Sequence, residues 1–104
     1  MTRIEILPEG QTFRLTAEGH AGGMEGDTDA VCAAVSGSLI SFAAWLEKQG
    51  LLEAYETGEG RLRMAWRDGD GTSIPVLDYL LTEWRMIGAR YPGTVEVVQD
   101  LSKR

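Results

Sequence analysis

The sequence predicts an α+β domain, a two-layer α/β sandwich in which one sheet of five short strands carries two helices on one face. Apolar residues alternate with polar ones in several short segments, recur at helical spacing in two longer ones, and are separated by turn residues. The predicted order is ββαββαβ. A chain of 104 residues builds one hydrophobic core, so residues 1–104 are expected to form a single domain.

The first two strands form a predicted hairpin. Alternation indicates strands at residues 1–7 and 13–17, and Pro8 to Gln11 between them is typical of a turn. The alternation then ends at Gly19, where a glycine-rich segment begins.

A long first helix follows this segment. We expect it to begin with Thr28 or Asp29 as its N-cap and to end at Gly50. Its core-facing residues, at helical spacing, are Val31, Val35, Leu39, Phe42 and Leu46.

The second half repeats the alternation of strands and helix. The predicted elements are a strand at 51–57, a turn at 58–60, a strand at 61–67, a loop at 68–71, a helix, and a strand at 94–99. Ser73 is expected to cap this helix, with Pro75 in its first turn. Its apolar stripe consists of Leu77, Leu80, Leu81, Trp84, Ile87 and Tyr91.

Charge and composition restrict the function. A net charge of −6 argues against direct binding to nucleic acid, which depends on neutralising phosphates. The longest apolar stretch, residues 30–46, is interrupted by serines and a glycine, so we expect no membrane span of roughly 18 residues. The amino terminus does not resemble a signal peptide, and a lone cysteine suits the reducing cytoplasm, which is the expected location.

Metal and cofactor chemistry is not expected. One cysteine and one histidine cannot close a four-ligand zinc site without carboxylates at a recognisable spacing. The glycine-rich segment also lacks the lysine of a phosphate-binding loop.

The single histidine, His20, and the single cysteine, Cys32, lie on either side of the glycine-rich segment. If Asp29 is the N-cap, Cys32 is the third helical residue, where free N–H groups and the helix dipole stabilise a thiolate. His20 can then fold back as the base that takes the thiol proton. The connecting loop is Ala21, Gly22, Gly23, Met24, Glu25, Gly26, Asp27 and Thr28.

Each of these residues also has a simpler interpretation. Cys32 can fill space in the core as a small apolar side chain, and His20 can be a surface histidine at a strand end. The backbone N–H groups of Val31 and Cys32 are candidate donors to an oxyanion. The arginines at 61, 63 and 67 indicate a solvated strand face or, alternatively, a surface for peptide carbonyls or an acidic partner.

Asp29 and Ser36 are the candidate supporting residues. Asp29 is expected to cap the helix, although it can also orient the imidazole as the third member of a triad. Ser36 lies one turn beyond Cys32 on the same helix face, where it can bond the dyad or the substrate. Its hydroxyl can equally bond a backbone carbonyl one turn back.

The stretch from Gly19 to Ser36 resembles the signature of the ribosomal-processing cysteine proteases called Prp. Gly19-His20-Ala21 and the run from Asp29 through Cys32 to Ser36 match its two halves. The resemblance implies a Cys32–His20 dyad supported by Asp29 and Ser36, with Gly19 required by the backbone. It also implies a homodimer and a loop that orders when substrate binds.

Members of this family remove an amino-terminal extension from ribosomal protein number twenty-seven of the large subunit, after a phenylalanine. The resemblance therefore implies a cysteine endopeptidase with a ribosomal-protein substrate. The chain departs from the family pattern at Gly23, Glu25, Asp27 and Ala30, which concerns loop stiffness and substrate preference. Two alternatives are a non-catalytic ribosome-associated module with a mobile glycine-rich loop and a thiol enzyme of another kind.

Overall fold

A computed structural model describes residues 1–19 and 27–99, with all side chains in these ranges except those of residues 27–29. The elements follow the predicted order ββαββαβ. The strands are β1 (Thr2–Glu9), β2 (Thr12–Glu18), β3 (Leu52–Gly58), β4 (Arg61–Arg67) and β5 (Val95–Gln99), and the helices are α1 (Asp27–Lys48) and α2 (Ile74–Arg90).

The five strands form one sheet in the order β3-β4-β2-β1-β5. Neighbours are antiparallel except β1 and β5, which run parallel. Helix α1 connects β2 to the edge strand β3, and α2 leads from β4 to the opposite edge strand, β5. This order, which the sequence pattern does not give, brings the end of β2 beside the start of β4.

The core lies between one face of the sheet and the two helices. Every second residue of β1, β2 and β4 is buried, as expected for a sheet covered on one side. Phe13 and Trp66 stack at 5.3 Å between ring centroids, and Phe42 of α1 meets Trp66 edge-on at 5.0 Å. The predicted core residues of α1 are all buried, which confirms a two-layer α+β fold.

The opposite face of the sheet is charged and exposed. Arg14 forms an ion pair with Glu9 at 2.6 Å, and Arg3 lies 3.8 Å from Glu5 and 3.9 Å from Glu96. The arginines at 61, 63 and 67 are exposed on this same face of β4. They thus form the solvated strand face that the sequence offered as one interpretation.

The first turn is shorter than predicted. Pro8 and Glu9 belong to β1, and only Gly10 and Gln11 form the turn. Proline is tolerated here because β5 pairs with β1 only as far as Ile6. No described strand therefore needs the N–H that Pro8 lacks.

The start of α2 also differs from the prediction, because the Ser73 side chain makes no capping bond. Its hydroxyl donates to Asp68 Oδ2 at 2.5 Å and accepts from Trp66 Nε1 at 3.0 Å. Asp68 instead accepts from the backbone N–H groups of Thr72 (3.0 Å) and Ser73 (2.6 Å). Burial raises the pKa of Asp68, but these hydrogen bonds outweigh it and lower the pKa below its ordinary value.

Helix α1 is more apolar than expected. Its segment from Ala30 to Lys48 is long and apolar enough to cross a bilayer, with a mean hydropathy of 1.5, so the expectation that no segment has this length is wrong. In the fold one face of this segment is buried against the sheet. The core helix of a folded domain passes the same test, so the property is weak evidence for a membrane.

Candidate active site

Helix α1 begins earlier than the sequence indicated. It starts at Asp27, so Thr28 and Asp29 lie inside the helix and the prediction of either as N-cap is wrong. Aspartate and threonine are accepted in the first turn as well as at the cap, so the run Asp27-Thr28-Asp29 does not define one start. Cys32 consequently lies in the second turn and not at the third helical position.

This shift changes the expected electrostatics of Cys32. In a helix that starts at Asp27, the N–H groups of Val31 and Cys32 donate to carbonyls one turn back, so neither is free for an oxyanion. The favourable effect of the dipole on an anion is concentrated in the first turn. The stabilisation of a Cys32 thiolate that the predicted helix start implied therefore does not follow from this geometry.

Cys32 lines a cleft of about 260 Å³ between α1 and the ends of the strands. Its side chain is a free thiol, half-buried, and packed on one side against the core. The lining residues are Thr2, Ala17, Gly19, Cys32, Val35, Ser36, Leu39, Ile40, Thr57, Gly58, Gly60, Arg61 and Leu62. Cys32 thus lies at the boundary between core and cleft.

One face of α1 forms one wall of the cleft. Cys32, Ser36 and Ile40 follow one another at four-residue spacing, with Val35 and Leu39 beside them. Ser36 is exposed and makes no hydrogen bond to another described residue, whereas Ser38 donates to the Val35 carbonyl at 2.9 Å. The bond to a backbone carbonyl considered for Ser36 is thus found at Ser38, and the Ser36 hydroxyl lies in the cleft with Cys32.

Gly19 closes the cleft at the end of β2. Its φ of +93° lies in the left-handed region, and a Cβ atom here would collide with the Met1 carbonyl oxygen. Its N–H donates to the Gly60 carbonyl at 2.8 Å. The left-handed φ and the collision of a Cβ atom both require glycine at the residue that precedes His20.

The other half of the predicted site lies outside the described residues. This applies to His20, to the loop residues 21–26, and to the side chains of Asp27, Thr28 and Asp29. The pairing of His20 with Cys32 and a triad role for Asp29 therefore remain predictions.

The sequence analysis missed the contribution of the β3–β4 hairpin. Thr57, Gly58 and Gly60 line the cleft, although residues 58–60 were expected only to form a turn. No local pattern indicates this role, because it depends on β4 pairing with β2. Arg61 also borders the cleft, but its side chain lies over Gly58, where an added Cβ would come within 3.0 Å of the Arg61 Nε.

The chemistry available in the described half of the site is that of a nucleophilic thiol. A half-buried cysteine that lines a mainly apolar cleft together with a serine can supply a nucleophile to a carbonyl carbon bound there. Within residues 1–19 and 27–99, no three histidine, cysteine, aspartate or glutamate side chains are close enough to hold a metal ion.

Comparison with known proteins identifies a family. The family model described as "Cysteine protease Prp" matches residues 1–96. No curated protein sequence matches the chain.

Solved structures share the fold. A crystal structure of the essential ribosomal processing protease Prp from S. aureus with a covalently linked product peptide is similar, with a TM-score of 0.77 and 17% identity over 96% of this chain and 100% of the other. The same protease with a substrate peptide gives a TM-score of 0.72 at 17% identity and the same coverage. SMU.848 from Streptococcus mutans gives 0.67 at 19% identity, over 95% of this chain and 93% of that one.

Proposed function

Because the chain belongs to the cysteine protease Prp family, we propose that it removes the amino-terminal extension of large-subunit ribosomal protein number twenty-seven during bacterial ribosome assembly. The observation that carries this proposal is the free, half-buried Cys32 that lines a mainly apolar cleft. Support for the substrate class comes from the related protease of S. aureus, which was crystallised with product and substrate peptides.

The proposed reaction is acyl transfer to sulfur. His20 takes the Cys32 proton, and the thiolate attacks the scissile carbonyl carbon. The tetrahedral intermediate collapses to a thioester as the peptide amine leaves with the proton from His20. His20 then removes a proton from water, which attacks the thioester, releases the carboxylate product and restores the thiol.

The supporting residues have separate roles in this proposal. Ser36, which lines the cleft one helical turn beyond Cys32, contacts the bound peptide or the dyad. Asp29 supports the dyad, as the family resemblance implies. The apolar lining of Val35, Leu39 and Leu62 suits the phenylalanine that precedes the bond cleaved by the family.

We also propose that the protein acts as a cytoplasmic homodimer. The outward face of α1 is exposed and uncharged from Ala30 to Ala44, although the whole chain carries a net charge of −6. Two acidic copies repel each other least where they meet through uncharged surfaces, and small side chains let helices approach closely. The exposed small residues of this face are Ala30, Ala33, Ala34, Gly37, Ser41 and Ala44.

The test is mass spectrometry of the extended ribosomal protein before and after incubation with this protein. The wild type should release the extension, and Cys32→Ala or His20→Ala should lower the cleavage rate by about 10⁴-fold or more while the fold is retained. Tyr79→Phe, at an exposed position of α2 away from the cleft, is the control and should cleave normally. Cleavage by the Cys32→Ala variant, or stable association without any cleavage by the wild type, would contradict the proposal.

A further inference from the structure

Strand β3 is an open edge of the sheet beside the cleft. It pairs only with β4 among the described strands, and its residues from Glu53 to Gly58 are exposed. Its last residues, Thr57 and Gly58, line the Cys32 cleft. An exposed strand edge carries unpaired backbone groups that readily pair with another extended chain.

Two hydrogen bonds show which residues of β4 turn their backbone groups towards β3, and so which groups of β3 are unpaired. In and beside β4, the Arg67 N–H donates to the Leu51 carbonyl at 3.0 Å, whereas the Gly60 carbonyl accepts from the Gly19 N–H at 2.8 Å. Odd-numbered residues of β4 therefore face β3, and even-numbered residues face β2, because successive residues point to opposite neighbours.

The register then assigns the groups on the free side. Glu56 pairs with Arg63, so Glu56 turns its N–H and C=O towards β4. Tyr55 and Thr57 lie opposite the even-numbered Met64 and Leu62, so their N–H and C=O groups point away from the sheet. We call these outward groups of Tyr55 and Thr57 the β3 edge.

Charges of both signs lie near the β3 edge. Glu53, Glu56 and Glu59 lie between Leu52 and Gly60. On β4, Arg63 lies opposite Glu56, and the Arg61 side chain lies over Gly58. Natural edge strands are commonly protected from pairing by charged side chains, by proline or by a bulge. Within β3 the one irregularity lies between Leu52 and Ala54, at the end far from the cleft, so the end beside the cleft is regular and has no proline.

We propose that the β3 edge binds the peptide substrate as an added strand. The backbone groups of Tyr55 and Thr57 hold the extended peptide, and the adjoining Thr57 and Gly58 direct it towards Cys32. This inference rests on the proposed function and specifies how the same site selects its substrate.

The first experiment measures binding of a synthetic peptide that spans the proposed cleavage site to the Cys32→Ala variant, by calorimetry. A series of peptides carries a single N-methyl group at successive positions. In a paired strand alternate N–H groups face the partner, so every second N-methyl group should weaken binding by about tenfold and the intervening ones should have little effect. Equal effects at all positions, or none, would overturn the proposal.

Variants of the protein test the same edge. Tyr55→Pro removes the outward N–H without breaking a bond to β4, whereas Tyr55→Ala keeps this N–H and removes only the side chain. We expect Tyr55→Pro to weaken peptide binding several-fold beyond Tyr55→Ala, with both variants folded by thermal melting. Equal binding by the two variants would contradict strand addition, as would a change in oligomeric state in Tyr55→Pro alone, which would indicate a second copy at the edge.

The cleavage assay and the peptide series together separate the β3 edge from the peptidase activity. Cleavage of the extension by the wild type without the alternating pattern would reject the β3 edge alone, whereas alternation without cleavage would reject only the peptidase.

Discussion

At the scale of single residues, the site depends on backbone geometry as much as on reactive groups. Gly19 combines a left-handed φ with a carbonyl oxygen in the space that a Cβ would occupy. Gly93 has a similar φ of +82°, but no atom lies within 4 Å of the Cβ position. A comparison of substitutions at Gly19 and Gly93 therefore separates the cost of backbone strain from the cost of a steric collision.

We predict that Gly19→Ala destabilises the protein clearly more than Gly93→Ala. The left-handed conformation costs a side-chain-bearing residue about 1–2 kcal/mol in either position, and only position 19 adds the collision with Met1. Denaturant unfolding of the two variants is the measurement. Equal losses in the free energy of unfolding would show that the amino terminus moves aside at no cost.

A second prediction at this scale concerns Trp84, whose side chain is fully buried. Its Nε1 donates to the Ser38 hydroxyl at 2.8 Å, which links the two helices. Ser38→Ala leaves this N–H unpaired, so we expect a loss of about 1–3 kcal/mol in the free energy of unfolding. Ser36→Ala removes an exposed hydroxyl, which bonds no other described residue, from the same helix and should cost much less. If Ser38→Ala costs no more than this control, the Trp84 N–H finds another acceptor.

At the scale of elements, the start of α2 depends on a carboxylate from the preceding loop. Asp68 is 6% exposed and accepts hydrogen bonds from Thr72 and Ser73. These bonds lower the pKa of Asp68 in the folded protein despite its burial, so the ionised form stabilises the fold. This contribution is complete above the unfolded pKa of about 3.9 and disappears as the pH falls through the lower folded value.

We therefore predict that Asp68→Asn destabilises the protein at pH 7 by about 1–3 kcal/mol, and that the difference from the wild type shrinks as the pH falls below about 3.9. Denaturant unfolding across this pH range is the test. Asp70→Asn, at an exposed position of the same loop, should leave the free energy of unfolding almost unchanged. If the difference in the free energy of unfolding persists unchanged at low pH, it comes from the altered side-chain hydrogen bonding and not from the charge of Asp68.

At the scale of the whole molecule, the outward face of α1 is the surface proposed for dimerisation. Ala44 lies on it, three turns from Cys32. We predict that Ala44→Glu converts the dimer to a monomer in sedimentation or light scattering, because it places two like charges at the interface. Ala89→Glu makes the same substitution at an exposed site of α2 and should preserve the dimer. An Ala44→Glu protein that remains dimeric would exclude this face.

The sequence by itself determined the fold class, the order of the elements and most of the core, because side-chain periodicity records which face of a strand or helix is buried. It also selected Cys32 as the candidate nucleophile, since a lone cysteine after a glycine-rich segment is a local pattern. Local patterns did not define the start of α1, where aspartate and threonine suit both the cap and the first turn. They also did not reveal that Asp68, and not the Ser73 side chain, bonds the first residues of α2.

The tertiary structure alone decided which segments meet at the cysteine. The strand order β3-β4-β2-β1-β5 brings the β3–β4 hairpin next to the end of β2, and so places Thr57, Gly58 and Gly60 in the cleft with Cys32. It also leaves β3 as an open edge beside that cleft. The physical reason is that backbone hydrogen bonds can join any two strands, so the order of strands depends on packing of the whole chain and not on the residues of one strand.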